Sequence, residues 1–326
     1  VVFSLAINKD YEIDIKVQEM YRFIKLMIYP KKEFLGFFVR LYETLYEKRK
    51  TMTGVRIWHQ SMTDLDSLPG YRGVLEEHAR QVGEGDFAVT LHGVMSGTYP
   101  AGIAPVDLIR YPLAHHLIFN QFVENAVRAE SEGFDAVAIS CFVDPGLALA
   151  RSAVDIPVVS SCETALMVAC SVGAAFGLIT IDKSMVSVLR ELVESYGHAS
   201  RVCAIETLDP AMNEFELDEA FHRRGPMVER FRAHARSLIE RHNVDVLIPA
   251  EGVLNTMLVR NNVRDVDGVP VLDSYGALLQ HADMLARLRR RTGLAVGRRG
   301  IYAKPPLEIT NHLRRLTASV LQKAAK

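Results

Sequence analysis

Only four cysteines occur in 326 residues, at Cys141, Cys162, Cys170 and Cys203, and no two form a CxxC pair. That spacing supports neither a disulfide framework nor a structural zinc site, and a reducing cytoplasm is the expected compartment. No apolar run reaches the roughly 18–20 residues that a membrane span needs. Charge of one sign is also lacking. With 38 basic and 39 acidic residues the formal net charge is −1, which gives no electrostatic case for nucleic acid or an anionic membrane. No GxGxxG follows the first candidate strand and no GxxxxGK[ST] occurs, so nucleotide binding has no motif behind it. Lysine is scarce after residue 51: residues 52–326 hold four Lys against twenty-four Arg, whereas the first fifty hold seven Lys and three Arg. Residues 1–51 therefore read as an extension of separate origin, with a helix expected over "FLGFFVRLYETLYEKRK". A signal peptide fits this stretch poorly, because acidic residues interrupt its apolar run.

What is present is an ordinary globular composition, 49% hydrophobic and 24% charged, in a chain long enough for two lobes. Short apolar runs alternate with amphipathic ones, the pattern of an α/β protein with mostly parallel sheets. Strands are expected at 55–60, 87–92, 134–140, 156–160, 176–181, 200–204, 244–249 and 269–273. Helices are expected at 70–82, 111–131, 146–153, 162–173, 183–196, 216–241, 253–262 and 275–292. Pro226 in "RRGPM" should break or kink the segment 216–241, because it lacks a backbone donor.

Two stretches overlay. "FDAVAISCFVDPG" at 134–146 and "VDVLIPAEGVLNT" at 244–256 each open with an apolar residue and Asp, and each continues as an apolar strand. Six positions after the Asp, one carries Cys141 and the other Glu251. Downstream, "VDIPVVSS" and "DGVPVLDS" repeat a second short run. The repeat predicts two pseudo-symmetric Rossmann-like lobes, 52–160 with 270–326 and 161–269. Ligands of open α/β sheets bind beyond the carboxyl ends of the strands. Cys141 and Glu251 are therefore expected to face one small substrate across a cleft.

Each residue has a specific chemical case. Asp144 and Pro145 after Cys141 suit a helix start, which should lower the thiol pKa through the dipole. Glu251 ends an apolar strand, so burial should raise its pKa toward the range of a general acid or base. Simple burial and simple capping are the bland alternatives. His59, Gln60 and Ser61 after the first strand, and Ser96 and Thr98 after the second, offer donors for a substrate oxygen. So do Ser160 and Thr180 at two further strand ends. Phe142 and Gly252, neighbours of the two acids, complete the candidate substrate-binding set.

"DAVAISCFVDPGLALAR", "PVVSSCETAL" and "FGLITI", followed by "VDVLIPAEG" and "GVPVLDS", resemble the aspartate/glutamate/hydantoin racemase superfamily. The wording "CFVDPGL" is most like its hydantoin and allantoin racemase branch. The likeness spans roughly 54–306, including the terminal "YAKPP". It implies cofactor-independent chemistry at an acidic carbon, a small-molecule substrate and a homo-oligomer. It also implies two catalytic cysteines on opposite faces. Cys141 matches the first, and the second falls on Glu251. The Asn-Pro-Asn common after the first strand of the family is replaced by "HQS". A racemase or epimerase acting through Cys141 and Glu251 is the expectation. A hydrolase, decarboxylase or other isomerase with Cys141 as nucleophile or proton donor and Glu251 as base is the alternative. A non-catalytic binding protein is a third reading.

Overall fold

Strands buried on both faces organise the computed structural model, which describes residues 54–221 and 224–324. The helix expected within 1–51 lies outside the described residues. From the start, the order is β1 (Val55–Ser61), a 3₁₀ turn (Leu65–Ser67), α1 (Pro69–Gly83), β2 (Phe87–His92), α2 (Pro105–Leu108) and α3 (Pro112–Ser131). Next come β3 (Ala136–Ser140), α4 (Leu147–Ala153), β4 (Val158–Ser160), α5 (Ser161–Ala169), β5 (Phe176–Thr180), α6 (Lys183–Ser195) and β6 (Val202–Thr207). The chain continues through α7 (Glu214–Ala220), α8 (Arg224–His242), β7 (Val246–Pro249), α9 (Gly252–Arg260), β8 (Asp265–Val266) and β9 (Val269–Pro270). It ends in α10 (Ser274–Thr292) and α11 (Leu307–Ala324).

Two parallel sheets result, in the orders β2-β1-β3-β4 and β6-β5-β7. The protein is therefore an α/β fold, and the two sheets repeat one winding. In each, the first strand is central and the second lies outside it. The third, which carries the repeated sequence, pairs on its other side. Strands β3, β5 and β7 are buried along their whole length, as apolar runs without alternation require. The outer strands β2 and β6 are partly exposed. The Asp of each repeat has the same task. The Asp135 carboxylate accepts from the Arg56 N–H at 2.8 Å, and that of Asp245 accepts from Ala174 and Ala175 at 2.9 and 3.1 Å. Each thereby ties its own strand to the start of the central one.

Departures from the sequence-based expectation have local causes. The strand expected at 269–273 shrinks to the β8–β9 hairpin plus one parallel bridge, Leu247 to Val271. Pro270 has no N–H to give, and Asp273 already caps α10 by accepting from Gly276 at 2.9 Å. The segment 216–241 is two helices, since α7 stops at Ala220 and α8 begins at Arg224, with Pro226 in its first turn. Pro is tolerated there and not further in. Helix α11, after Pro305 and Pro306, has no counterpart among the expected elements; Arg314 on it pairs with Glu124 of α3 at 2.9 Å. Helix α10 packs on β1, β3 and β4, returning the chain to the first sheet. Among the described residues no helix is long and apolar enough to cross a membrane.

Candidate functional site

Cys141 follows β3 directly, and Glu251 follows β7 after one residue. The ends of these strands meet. A Cβ placed on Gly252 would lie 3.9 Å from the Ser140 carbonyl oxygen and 3.0 Å from the Tyr71 hydroxyl. Ser61 ends β1 in register with Ser140, and the hydroxyls of both serines favour the ionised form of the Tyr71 phenol, against the larger effect of burial. Tyr71 reaches this point from the first turn of α1, which lacks a side-chain cap of its own. Asp218 of α7 supplies one by accepting from the Tyr71 N–H at 2.6 Å.

Glu251 is the N-cap of α9 and accepts from the Leu254 N–H at 2.6 Å. Burial raises its pKa, while the N–H groups of Val253, Leu254 and Gly252 pull against that rise. Glu214, also buried, opens α7 and accepts from the Val106 N–H at 3.2 Å. Its pKa is raised by burial and then by the charge of Glu251. Two carboxyl groups that repel each other's ionisation thus share this region.

The thiol behaves differently from expectation. Burial pushes the Cys141 pKa well above its ordinary value, the Val143 N–H opposes this, and the charges of Asp144, Glu251 and Glu214 add to it. The expected helix start is also displaced. Asp144 does not cap α4, which begins at Leu147 after Gly146; both Asp144 and Gly146 have positive φ, 44° and 64°. The Asp144 carboxylate instead accepts from the Cys162 and Glu163 N–H groups, each at 2.9 Å. It also accepts from the Ser160 hydroxyl at 2.5 Å and the Tyr196 hydroxyl at 2.7 Å. The free N–H groups of α5 have taken the carboxylate that the sequence assigned to α4. Even with these donors, burial lifts the Asp144 pKa to about 6.

The other candidates divide. Ser61 and Gly252 stand with Cys141 and Glu251 at the meeting strand ends. Thr180 is buried at the end of β5 with its hydroxyl unpartnered among the described residues. Gln60, Thr98 and Ser160 are turned to internal partners instead. The Gln60 carboxamide accepts from Trp58 Nε1 and Asn125 Nδ2 and donates to the Ser61 carbonyl. Thr98 donates to the Met95 carbonyl at 2.7 Å, and Ser160 serves Asp144. Ser96 is exposed and Phe142 is core. His59 is fully buried on β1, edge to face with Tyr275 at 5.5 Å, and neither ring nitrogen has a partner among the described residues.

Burial, with the charge of His92, drives the His59 pKa down to about 3. An unfolded chain protonates this ring near 6.5, so the stability it confers is complete above pH 6.5 and falls as the pH drops toward 3. Between pH 7.5 and 5.0 the loss should be about 2 kcal/mol. Urea denaturation of the wild type and His59→Leu at both pH values checks this. The variant should lose less stability on acidification by that amount, and parallel losses would refute it.

Sequence reasoning missed Tyr71, Glu214 and Asp218. The place of Tyr71 in the first turn after β1 hinted at the carboxyl edge of the sheet. The capping-box spacing of Asn213 and Glu216 foretold the start of α7. Nothing local indicated that Glu214 would turn toward Glu251.

With strand ends, acids and sheet order in place, comparison with known proteins is decisive at the level of family. The profile described as Asp/Glu/Hydantoin racemase matches residues 71–282. The chain belongs to this family. Family members similar to it include the hydantoin racemase of Pseudomonas sp. (strain NS671), 29% identical over 170 residues, which are 52% of this chain and 66% of that protein. The chain thus spans just under two thirds of that relative. The hydantoin racemase of Rhizobium meliloti is 27% identical over 181 residues, 56% of this chain and 70% of the relative. Among solved structures, the allantoin racemase from Klebsiella pneumoniae superposes with a TM-score of 0.64 at 20% identity, covering 77% of this chain and 94% of that one. At that identity the likeness speaks for the shared fold.

Proposed function

We propose that this family member is a cofactor-independent racemase of an uncharged, hydantoin-like ring, with Cys141 and Glu251 working on opposite faces of its acidic carbon. The observation that supports the reading is the meeting of the β3 and β7 ends, where a Cβ on Gly252 would lie 3.9 Å from the Ser140 carbonyl oxygen, next to the two positions that carry the thiol and the carboxyl group. The Glu251 carboxylate takes the ring C–H proton, and the electron pair moves into the adjacent carbonyl. The Cys141 S–H then delivers a proton to the opposite face, leaving a thiolate and a carboxylic acid. Proton exchange with solvent resets the pair, or the reverse turnover does so. A thiol held protonated by burial suits the donor role, whereas a hydrolytic nucleophile would need the thiolate.

Charge supports a neutral substrate. The ionisable groups bearing on the thiol, Asp144, Glu251 and Glu214, are all carboxyls, so none offers a positive charge, even though burial and Glu251 push Glu214 up to about 8 and leave it largely protonated at neutral pH. A free amino acid or malonate-type acid would add its own carboxylate to them. A hydantoin ring adds none. The 27–29% identity to hydantoin racemases points the same way.

The test is recovery of a single-enantiomer 5-substituted hydantoin after incubation in deuterated water. The expected result is loss of optical activity with one deuterium gained at the stereocentre, faster than in a no-enzyme control. A new product of different mass would favour the hydrolase or decarboxylase reading, and wild-type protein matching the control would remove the racemase one. The base must be ionised to act, so kcat/KM should rise with pH through an apparent pKa above the ordinary glutamate value of about 4.3. A rate flat from pH 5 to 8 would contradict a raised Glu251 pKa.

A further inference from the structure

A carbanion flattened between two acids is attacked along the normal to its plane, so its oxygen must lie in that plane, between them. From the structure we infer that the Tyr71 hydroxyl occupies this equatorial position and donates a hydrogen bond to the substrate oxygen on which the charge collects. The inference rests on the racemase reading above and adds a third catalytic residue to it.

Three observations place the hydroxyl. Tyr71 is 1% exposed, so its ring is fixed in the core. Its oxygen lies 3.0 Å from the position a Cβ on Gly252 would take, next to Glu251, and the Ser140 carbonyl oxygen, beside Cys141, lies 3.9 Å from that same position. The hydroxyl therefore stands between the two strand ends that carry the acids. The donor in this arrangement is the phenol's own hydrogen.

The phenol also keeps that hydrogen. Burial raises its pKa, and the charges of Glu251 and Cys141 raise it further. A neutral donor in a buried site, placed where charge develops, strengthens as the carbonyl becomes an enolate. Gly252 gains a reason as well: any side chain there would press on the hydroxyl.

The test measures hydantoin racemisation in deuterated water for the wild type, Tyr71→Phe, Gly252→Ala and the double variant. Tyr71→Phe keeps the ring and its packing. Its kcat should fall by about 10²–10³, the usual loss for one oxyanion donor, with KM little changed. Gly252→Ala should lower kcat in the wild-type background and cost little more once the hydroxyl is gone. Wild-type kcat in Tyr71→Phe, or a change confined to KM, would overturn the assignment. So would an equal cost of Gly252→Ala in both backgrounds. Should Tyr71→Phe fail to fold, Gly252→Ala decides alone, since an unchanged kcat would show that nothing critical occupies that space. If the wild type itself is inert toward hydantoins, the racemase reading fails and the donor role falls with it. That outcome is distinct from an active wild type matched by an active Tyr71→Phe.

Discussion

Cys141→Ser should reduce hydantoin racemisation by about 10³-fold or more, close to the uncatalysed rate. General acid–base groups contribute about 10²–10⁴ each, and a two-acid proton exchange has no second route once one partner is missing. A serine hydroxyl fits the space of the thiol and can still accept from the Val143 N–H, so the fold should persist. Its acidity is far below that of a thiol, and here even the thiol is weakened by burial and by three carboxyl neighbours. The variant should melt within a few degrees of the wild type while showing no deuterium wash-in. Turnover retained in Cys141→Ser would remove the thiol from the mechanism.

Glu251→Gln should be equally damaging for a different reason. The glutamine oxygen can still accept from the Leu254 N–H and cap α9, so structure is preserved while the only proton-accepting form of the side chain is lost. The expected loss is about 10²–10⁴ in kcat. Glu251→Cys separates two ideas about the substitution at this position. A second thiol would lose the cap bond and part of the like-charge repulsion with Glu214, yet it would restore the symmetric pair implied by the family resemblance. If Glu251→Cys races ahead of the wild type on hydantoins, the native carboxyl group serves another substrate. If it is slower, the glutamate is tuned to its site. Near-normal activity in Glu251→Gln would mean that capping is all Glu251 does.

The legible part of this protein followed from repetition. Asp135 and Asp245 have one task, tying a strand to a neighbour 70 to 79 residues earlier in the chain, but the repetition that marks them is a property of the sequence and could be read without coordinates. Buried strands such as "AVAIS" and "FGLIT" lack alternation, and that too is a property of the chain itself. Asp144 illustrates the limit. Its spacing from α4 was right for a cap, but a carboxylate goes to the donors that most need it, and those lay on α5, 18 and 19 residues away. Gln60 was on the right strand and at the right end, yet alternation along β1 turned it into the layer of Trp58 and Asn125. The thiol pKa went the opposite way from the dipole argument because burial and neighbouring charge are sums over the whole surroundings, and no stretch of sequence contains those.

The amino-acid order alone determined the α/β class, the doubled winding and the two strand ends at which acid side chains would stand. These depend on contacts within a turn or along a strand. Tertiary structure decided how the ends meet, that Glu214 joins Glu251, and that the Tyr71 hydroxyl lies against Gly252. Those features depend on packing between segments up to 180 residues apart, where burial and charge add up only after the chain has folded.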